Sequence, residues 1–162
     1  MTRNEFYELM MGAYRPTLVL IRMAPADKLD WRPGPSFMSL GQVVAHISHG
    51  MGDDLRCLIE NKWPFTPEQM VEGMKLENLP SCGAEPALEE LEKDKATLRE
   101  VLDSISEEDF AQKAVSTPWG WQGKLERMAV LFREHFTNHK MQLFTYLKLL
   151  GLPVNTETLY GG

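Results

Sequence analysis

The chain predicts an all-α fold, a four-helix bundle, on three observations. Four long stretches carry apolar residues at the spacing of one helical face. No stretch of useful length alternates apolar and polar residues as a half-buried strand does. Proline- and glycine-bearing connections of short or medium length separate the four stretches, which suits neighbouring helices packed side by side.

The first helix is expected over residues 3–23, with Phe6, Met10, Ala13, Leu18 and Ile21 on its apolar face. Pro16 lies inside it and predicts a kink or break, because proline has no N–H to donate and its ring crowds the preceding turn. "APADKLDWRPGP", 24–35, holds three prolines and a glycine and reads as a loop. Ser36 or Ser39 offers a cap for the second helix, which the periodicity of Leu40, Val43, Val44, Ile47, Met51, Leu55 and Leu58 carries to about Asn61. Residues 62–83 read as irregular, punctuated by Pro64, Pro67, Gly73, Pro80 and Gly83. A third helix is expected over about 84–104, with Leu88, Leu91, Lys95, Leu98 and Leu102 on one stripe and Glu89, Glu90, Lys93 and Asp94 on the charged face. "SEEDF", 106–110, opens on a serine cap followed by acidic first-turn residues and predicts a short extra helical turn between the third and fourth long helices. "STPWGWQG", 116–123, reads as a loop. The last helix, about 124–150, stops at Gly151 with Pro153 beyond.

At 162 residues the chain has the length of one domain, expected over 1–162. Its net charge of −6 and lack of a basic cluster argue against a nucleic-acid partner, since phosphate binding needs concentrated Lys and Arg. Cys57 and Cys82 are too few for a disulfide framework and form no CxxC pair, so a cysteine-based zinc site is excluded. No stretch approaches the roughly 20 apolar residues needed to span a bilayer. "MTRNEFYELM" has neither the apolar run nor the cleavage site of a signal peptide, so the expected location is cytoplasmic, with no membrane partner.

The chemistry-bearing residues are histidines, of which the chain has four. "REHFTNHKMQ", 133–142, places His135 and His139 one helical turn apart. On a helix such residues differ by about 40° and roughly 6 Å of rise, so both imidazoles can reach one point beside it. An ion held at about 2.0–2.1 Å from nitrogen fits between them. The zinc-protease variant of this spacing needs a glutamate, but Phe136, Thr137 and Asn138 intervene, so that reading fails. Two ordinary helix residues spaced so by chance are the rival reading. Against it, both histidines fall on or near the core-facing stripe of Leu125, Met128, Leu131, Phe132, Leu143 and Tyr146, where a neutral imidazole needs partners. In "SLGQVVAHISHG", 39–50, His46 lies in the apolar stripe of the second helix and His49 about 60° round from it, near the site or on the surface. A third inward histidine completes a facial set, and three protein ligands leave positions open for water or substrate.

Two passages, "LDWRPGPSFMSLGQVVAHISH" and "REHFTNHKMQLFTYLKLLGLPVNTETLYG", carry a resemblance to the DinB-like (YfiT-like) metalloenzyme superfamily over nearly the whole chain. The histidine of the first motif falls on His46. The HxxxH-[RK]-x-Q motif and the "YL…G" ending fall on His135, His139, Lys140, Gln142, Tyr146, Leu147 and Gly151, with lysine at 140 where arginine is commoner. The resemblance implies a four-helix bundle holding a divalent ion, often zinc or nickel, on His46, His135 and His139, and frequently a homodimer. Relatives include thiol-dependent transferases and isomerases, so a low-molecular-weight thiol is a candidate partner beside a small-molecule substrate. Fold does not carry chemistry with it, however.

Around the site, Asp53 is seven residues after His46 and on nearly the same face of a continuous helix. It could orient a ligand, act as a base, or be a solvated charge at the mouth. Gln142 could hydrogen-bond a ligand imidazole or be a buried structural residue. Trp31, Trp63, Trp119 and Trp121 fall in or near loops, either to line a pocket or to cap the bundle ends. Cys57 lies roughly 16 Å along the helix from His46, too far to share an ion. The expected function is a divalent-metal-dependent enzyme acting on a small molecule, of hydrolase or thiol-S-transferase type, at an open three-histidine site. The alternative is a non-enzymatic metal- or ligand-binding protein of a stress response.

Overall fold

The computed structural model describes residues 1–161. Helix α1 spans Arg3–Arg22, opened by a reciprocal cap in which Thr2 Oγ1 accepts from the Glu5 N–H at 3.1 Å and Glu5 returns a bond to the Thr2 N–H. It runs through Pro16 without a break. The carbonyl that Pro16 leaves without a donor belongs to Gly12, which is exposed, so water can serve it. Meanwhile Phe6, Met10, Tyr14, Leu20 and Ile21 are fully buried and hold both halves of the helix on the core.

The expected second helix is two helices. Helix α2, Leu40–Ser48, is capped by Ser39 and Gln42 in the same reciprocal way, which settles the choice between Ser36 and Ser39. The chain then turns at Gly50, with φ +59°, and restarts as α3, Gly52–Glu60. Periodicity reads straight across this corner because Ile47, Met51, Leu55 and Leu58 are buried on both sides of it. The first residues of α3 have no cap of their own. Asp94, from a distant helix, accepts the Met51 and Gly52 N–H groups at 2.8 and 2.6 Å.

Within 62–83, expected to be irregular, the chain forms α4, Pro67–Gly73, and a 3-10 turn at Leu76–Asn78. Pro67 at the first helical position and the Thr66/Gln69 cap favour α4, so a proline taken as a breaker is a starter. Helix α5 spans Ala84–Asp103, with Ala87, Leu91, Asp94, Leu98, Val101 and Leu102 buried. The inward position expected of Lys95 is Asp94's. Lys95 instead pairs with Glu92 at the surface.

The short helical turn appears as α6, Glu107–Gln112, capped by Ser106. The loop expected at 116–123 is the turn of a hairpin, β1 Ala114–Ser116 against β2 Gln122–Lys124, antiparallel with Val115 opposite Gly123. Strands of three residues are too short for alternation to show. Helix α7, Leu125–Leu149, follows directly, and α8, Thr156–Tyr160, closes the described chain.

Helix α1 packs on α5 and α7, while α2 packs on the same two, so α1 and α2 face each other across the core. The fold is the mostly helical one expected, with one short hairpin added and a broken pair, α2 and α3, in place of one long helix. Among the described residues no helix is long and apolar enough to cross a membrane.

Candidate metal centre

Helix α7 carries His135 and His139 on one side, and α2 brings His46 against them. One ligand-capable nitrogen from each of the three lies within 4.8 Å of the others. His46 Nε2 and His135 Nε2 are 3.0 Å apart, and the His46 ring centroid is 4.3 Å from that of His139. Two nitrogens bound to one ion at about 2.0–2.1 Å, at angles between square and tetrahedral, sit about 2.9–3.4 Å apart. The His46–His135 spacing already matches. Three histidines could therefore hold a metal ion here.

A chain of hydrogen bonds fixes which nitrogen His139 offers. The Met38 carbonyl can only accept, and it takes the Tyr146 hydroxyl proton at 3.0 Å. The Tyr146 oxygen then accepts from the Gln142 amide nitrogen at 3.2 Å. That turns Gln142 Oε1 toward His139 Nδ1 at 2.8 Å, so Nδ1 carries the proton and donates it. The lone pair is left on Nε2, aimed at the other imidazoles. Of the two readings open for Gln142, the geometry fits the bond to a ligand imidazole. The role of Tyr146 is not evident from motif spacing alone, although its position four residues beyond Gln142 on the same face is the signal.

The surroundings keep the imidazoles neutral. Burial, reinforced by His139, His135 and His49, lowers the His46 pKa to about 4. His135 is pushed down by burial and then by His139, and His139 by burial against an opposing pull from Gln142. A neutral imidazole is the form that ligates. The triad is uneven: His135 has the most exposed side chain of the three, although its ring is partly shielded, while His46 and His139 are half-buried.

Asp53 does not join it. The corner at Gly50 removes the continuous helix that would have aligned Asp53 with His46, and the Asp53 side chain is exposed with Arg56 at 3.8 Å. Among the described residues no carboxylate or thiol completes the cluster. His49 is exposed at the C-terminal cap of α2. Cys57 is half-buried on α3. The tryptophans split into two groups. Trp31 packs edge-on against Tyr146 at 5.5 Å, and Trp63, Trp119 and Trp121 form a cluster with Phe65 over Phe132.

The sequence pattern of the DinB superfamily matches residues 12–143, a span that includes all three histidines. The chain belongs to the DinB superfamily. Its structure is similar to the crystal structure of a DinB-like protein from Bacillus subtilis, with a TM-score of 0.66 and 16% identity, covering 93% of this chain and 96% of the other. That likeness shows the fold. No curated protein matches the chain in sequence. Within this DinB fold the triad sits where two packed helices, α2 and α7, face each other, a usual place for a bundle's metal site. Helix α8 lies beyond the matched span.

Proposed function

We propose that this DinB protein is a divalent-metal-dependent enzyme acting on a small molecule, with zinc or nickel held by His46, His135 and His139. The observation that carries the reading is the convergence of three neutral imidazoles, one locked by Gln142 with its Nε2 lone pair inward. A divalent ion supplies Lewis acidity there and lowers the pKa of a water or thiol brought to it. His46 and His139 form the sheltered side of the site, and exposed His135 its rim, so substrate approaches past His135. Gln142, bonded to Nδ1, would keep the His139 ring oriented toward a bound ion. Three neutral ligands leave the ion's charge uncompensated, which favours a thiolate or other anion as the incoming group. A hydrolase and a thiol-S-transferase both fit these terms. In the non-enzymatic alternative, a metal- or ligand-binding stress protein, the same site binds without turnover.

Elemental analysis of protein purified without added metal is the first test. His46→Ala, His135→Ala and His139→Ala should each lose the ion, and His49→Ala should keep it. Full occupancy in His139→Ala rejects the site. Cobalt-substituted protein should then change its spectrum with small thiols. Indifference to thiols, hydroxamates and azide alike means a closed, structural ion and removes the enzyme reading. Thiol-dependent turnover of electrophiles separates enzyme from binding protein.

A further inference from the structure

The two halves of the triad stand on different helices, so something must set the distance between α2 and α7. The geometry points to Tyr14 as a positioning residue for the triad, a strut from α1 that touches the supports of both halves at once. The inference rests on the metal role proposed above for His46, His135 and His139.

At one end, the Tyr14 hydroxyl donates to Asp94 Oδ2 in a short hydrogen bond and accepts the Met51 N–H at 3.1 Å. Asp94 takes the same Met51 N–H at 2.8 Å and the Gly52 N–H at 2.6 Å. These bonds clamp the corner that ends α2, and His46 lies in the last turn of α2, one helical turn before Gly50. The corner has little room to drift. A Cβ on Gly50 would lie 2.0 Å from Asp94 Oδ2 and 2.8 Å from Tyr14 Oη, and one on Gly52 would meet the Asp94 and Leu98 backbone at 2.7 Å. At the other end, the Tyr14 ring stands edge-on to Phe136 with centroids 5.0 Å apart, and Phe136 is the chain neighbour of His135. Tyr14 has no exposed surface, and Asp94 is 6% exposed. Neither hydrogen-bonds to the imidazoles.

Metal ligation is sensitive to this kind of support. Losing a group that orients a ligand commonly lowers metal affinity 10–100-fold. Tyr14→Phe keeps the ring on Phe136 and removes the clamp's hydroxyl, so it should loosen the α2 corner, which Asp94 then holds without its tie to α1, while α7 stays seated. The expected result is metal affinity about ten-fold weaker or worse, with the cobalt absorption bands shifted or broadened. Asp94→Asn should act in the same direction. Phe110→Leu, a core change on α6 where Phe110 packs on Phe6, serves as the control for lost stability. It should lower the unfolding midpoint and leave affinity and spectrum as in wild type.

A Tyr14→Phe protein with wild-type affinity and wild-type cobalt spectrum overturns the strut. So does a Phe110→Leu protein that loses metal as Tyr14→Phe does, because general loosening would then explain both. If wild type binds no ion at the triad, the functional reading fails by itself. The imidazole 15N resonances of metal-free protein then decide the strut. Resonances of His46 and His135 that move in Tyr14→Phe and not in Phe110→Leu support it, and unmoved resonances overturn it.

Discussion

Replacing Gln142 with leucine cuts the chain of hydrogen bonds from His139 to the Met38 carbonyl at its centre. In the native protein the His139 Nδ1–H is held by Gln142 Oε1 at 2.8 Å, while the Gln142 amide leans on Tyr146 at 3.2 Å. Leucine fills similar space but neither accepts nor donates. The Tyr146 hydroxyl loses the Gln142 donor but keeps its bond to Met38, so only His139 is left without a partner on its Nδ1–H. Two half-buried hydrogen bonds are lost, at about 0.5–1.5 kcal/mol each, so the loss of fold stability is bounded at about 1–3 kcal/mol. Metal binding should weaken as well. The ring is freed to rotate, and both tautomers become open to it, only one of which offers Nε2. A 10–100-fold loss of affinity is expected, about 1.4–2.8 kcal/mol. Competition with a chromophoric chelator at neutral pH measures it. Gln142→Glu, which still accepts from Nδ1–H, should keep most of the affinity. Wild-type affinity in Gln142→Leu would refute the assignment of Gln142 as the group that orients His139.

Three further outcomes follow from the same structure. Gly50→Ala forces a side chain into left-handed backbone at φ +59° and onto Asp94, so it should cost about 3 kcal/mol, from about 1–2 for the backbone and about 1–3 for the displaced buried bond. An unchanged denaturant midpoint counts against that corner. In metal-free protein His46 titrates near 4 when folded against about 6.5 when unfolded, so the unfolded state binds the extra proton between those values. Stability should therefore be whole above about pH 6.5 and fall as pH drops toward 4, by at most about 3 kcal/mol, and His46→Gln should flatten that slope. An identical slope in the variant removes His46 as its source. Asp53→Asn should leave metal content unchanged and stability within about 0.5 kcal/mol, because its pairing with Arg56 is exposed. Lost metal would return Asp53 to the site.

What could be read from the sequence was what leaves a periodic trace. The long helices α1, α5 and α7 have ends within a residue or so of those expected, because caps and stop signals are local. His135 and His139 are legible for the same reason, since one helix fixes their separation. His46 could be placed on an apolar stripe, but only packing of α2 on α7 brings its ring to His139. The corner at Gly50 left no trace, because its cap comes from Asp94, more than forty positions away along the chain. Asp94 itself looked like one charge among several on α5. A carboxylate that is buried because backbone N–H groups await it does not differ in sequence from one left in water. Asp53 shows the same limit: the face it was to share with His46 has no meaning across a corner, and of the readings open for it the solvated charge fits its exposed side chain.

The uneven shelter of the three histidines bears on supply rather than on affinity. Were an ion held here, His135, the most exposed of the three, would be the imidazole most open to a competing ligand, with His46 and His139 more sheltered. Stepwise hand-over of that kind would make the site quick to equilibrate with its surroundings. All-imidazole sites rank the divalent ions by a common order and discriminate weakly through shape. Occupancy would then track which ion is free in the compartment, and the same polypeptide recovered from differently fed cultures should carry different metals.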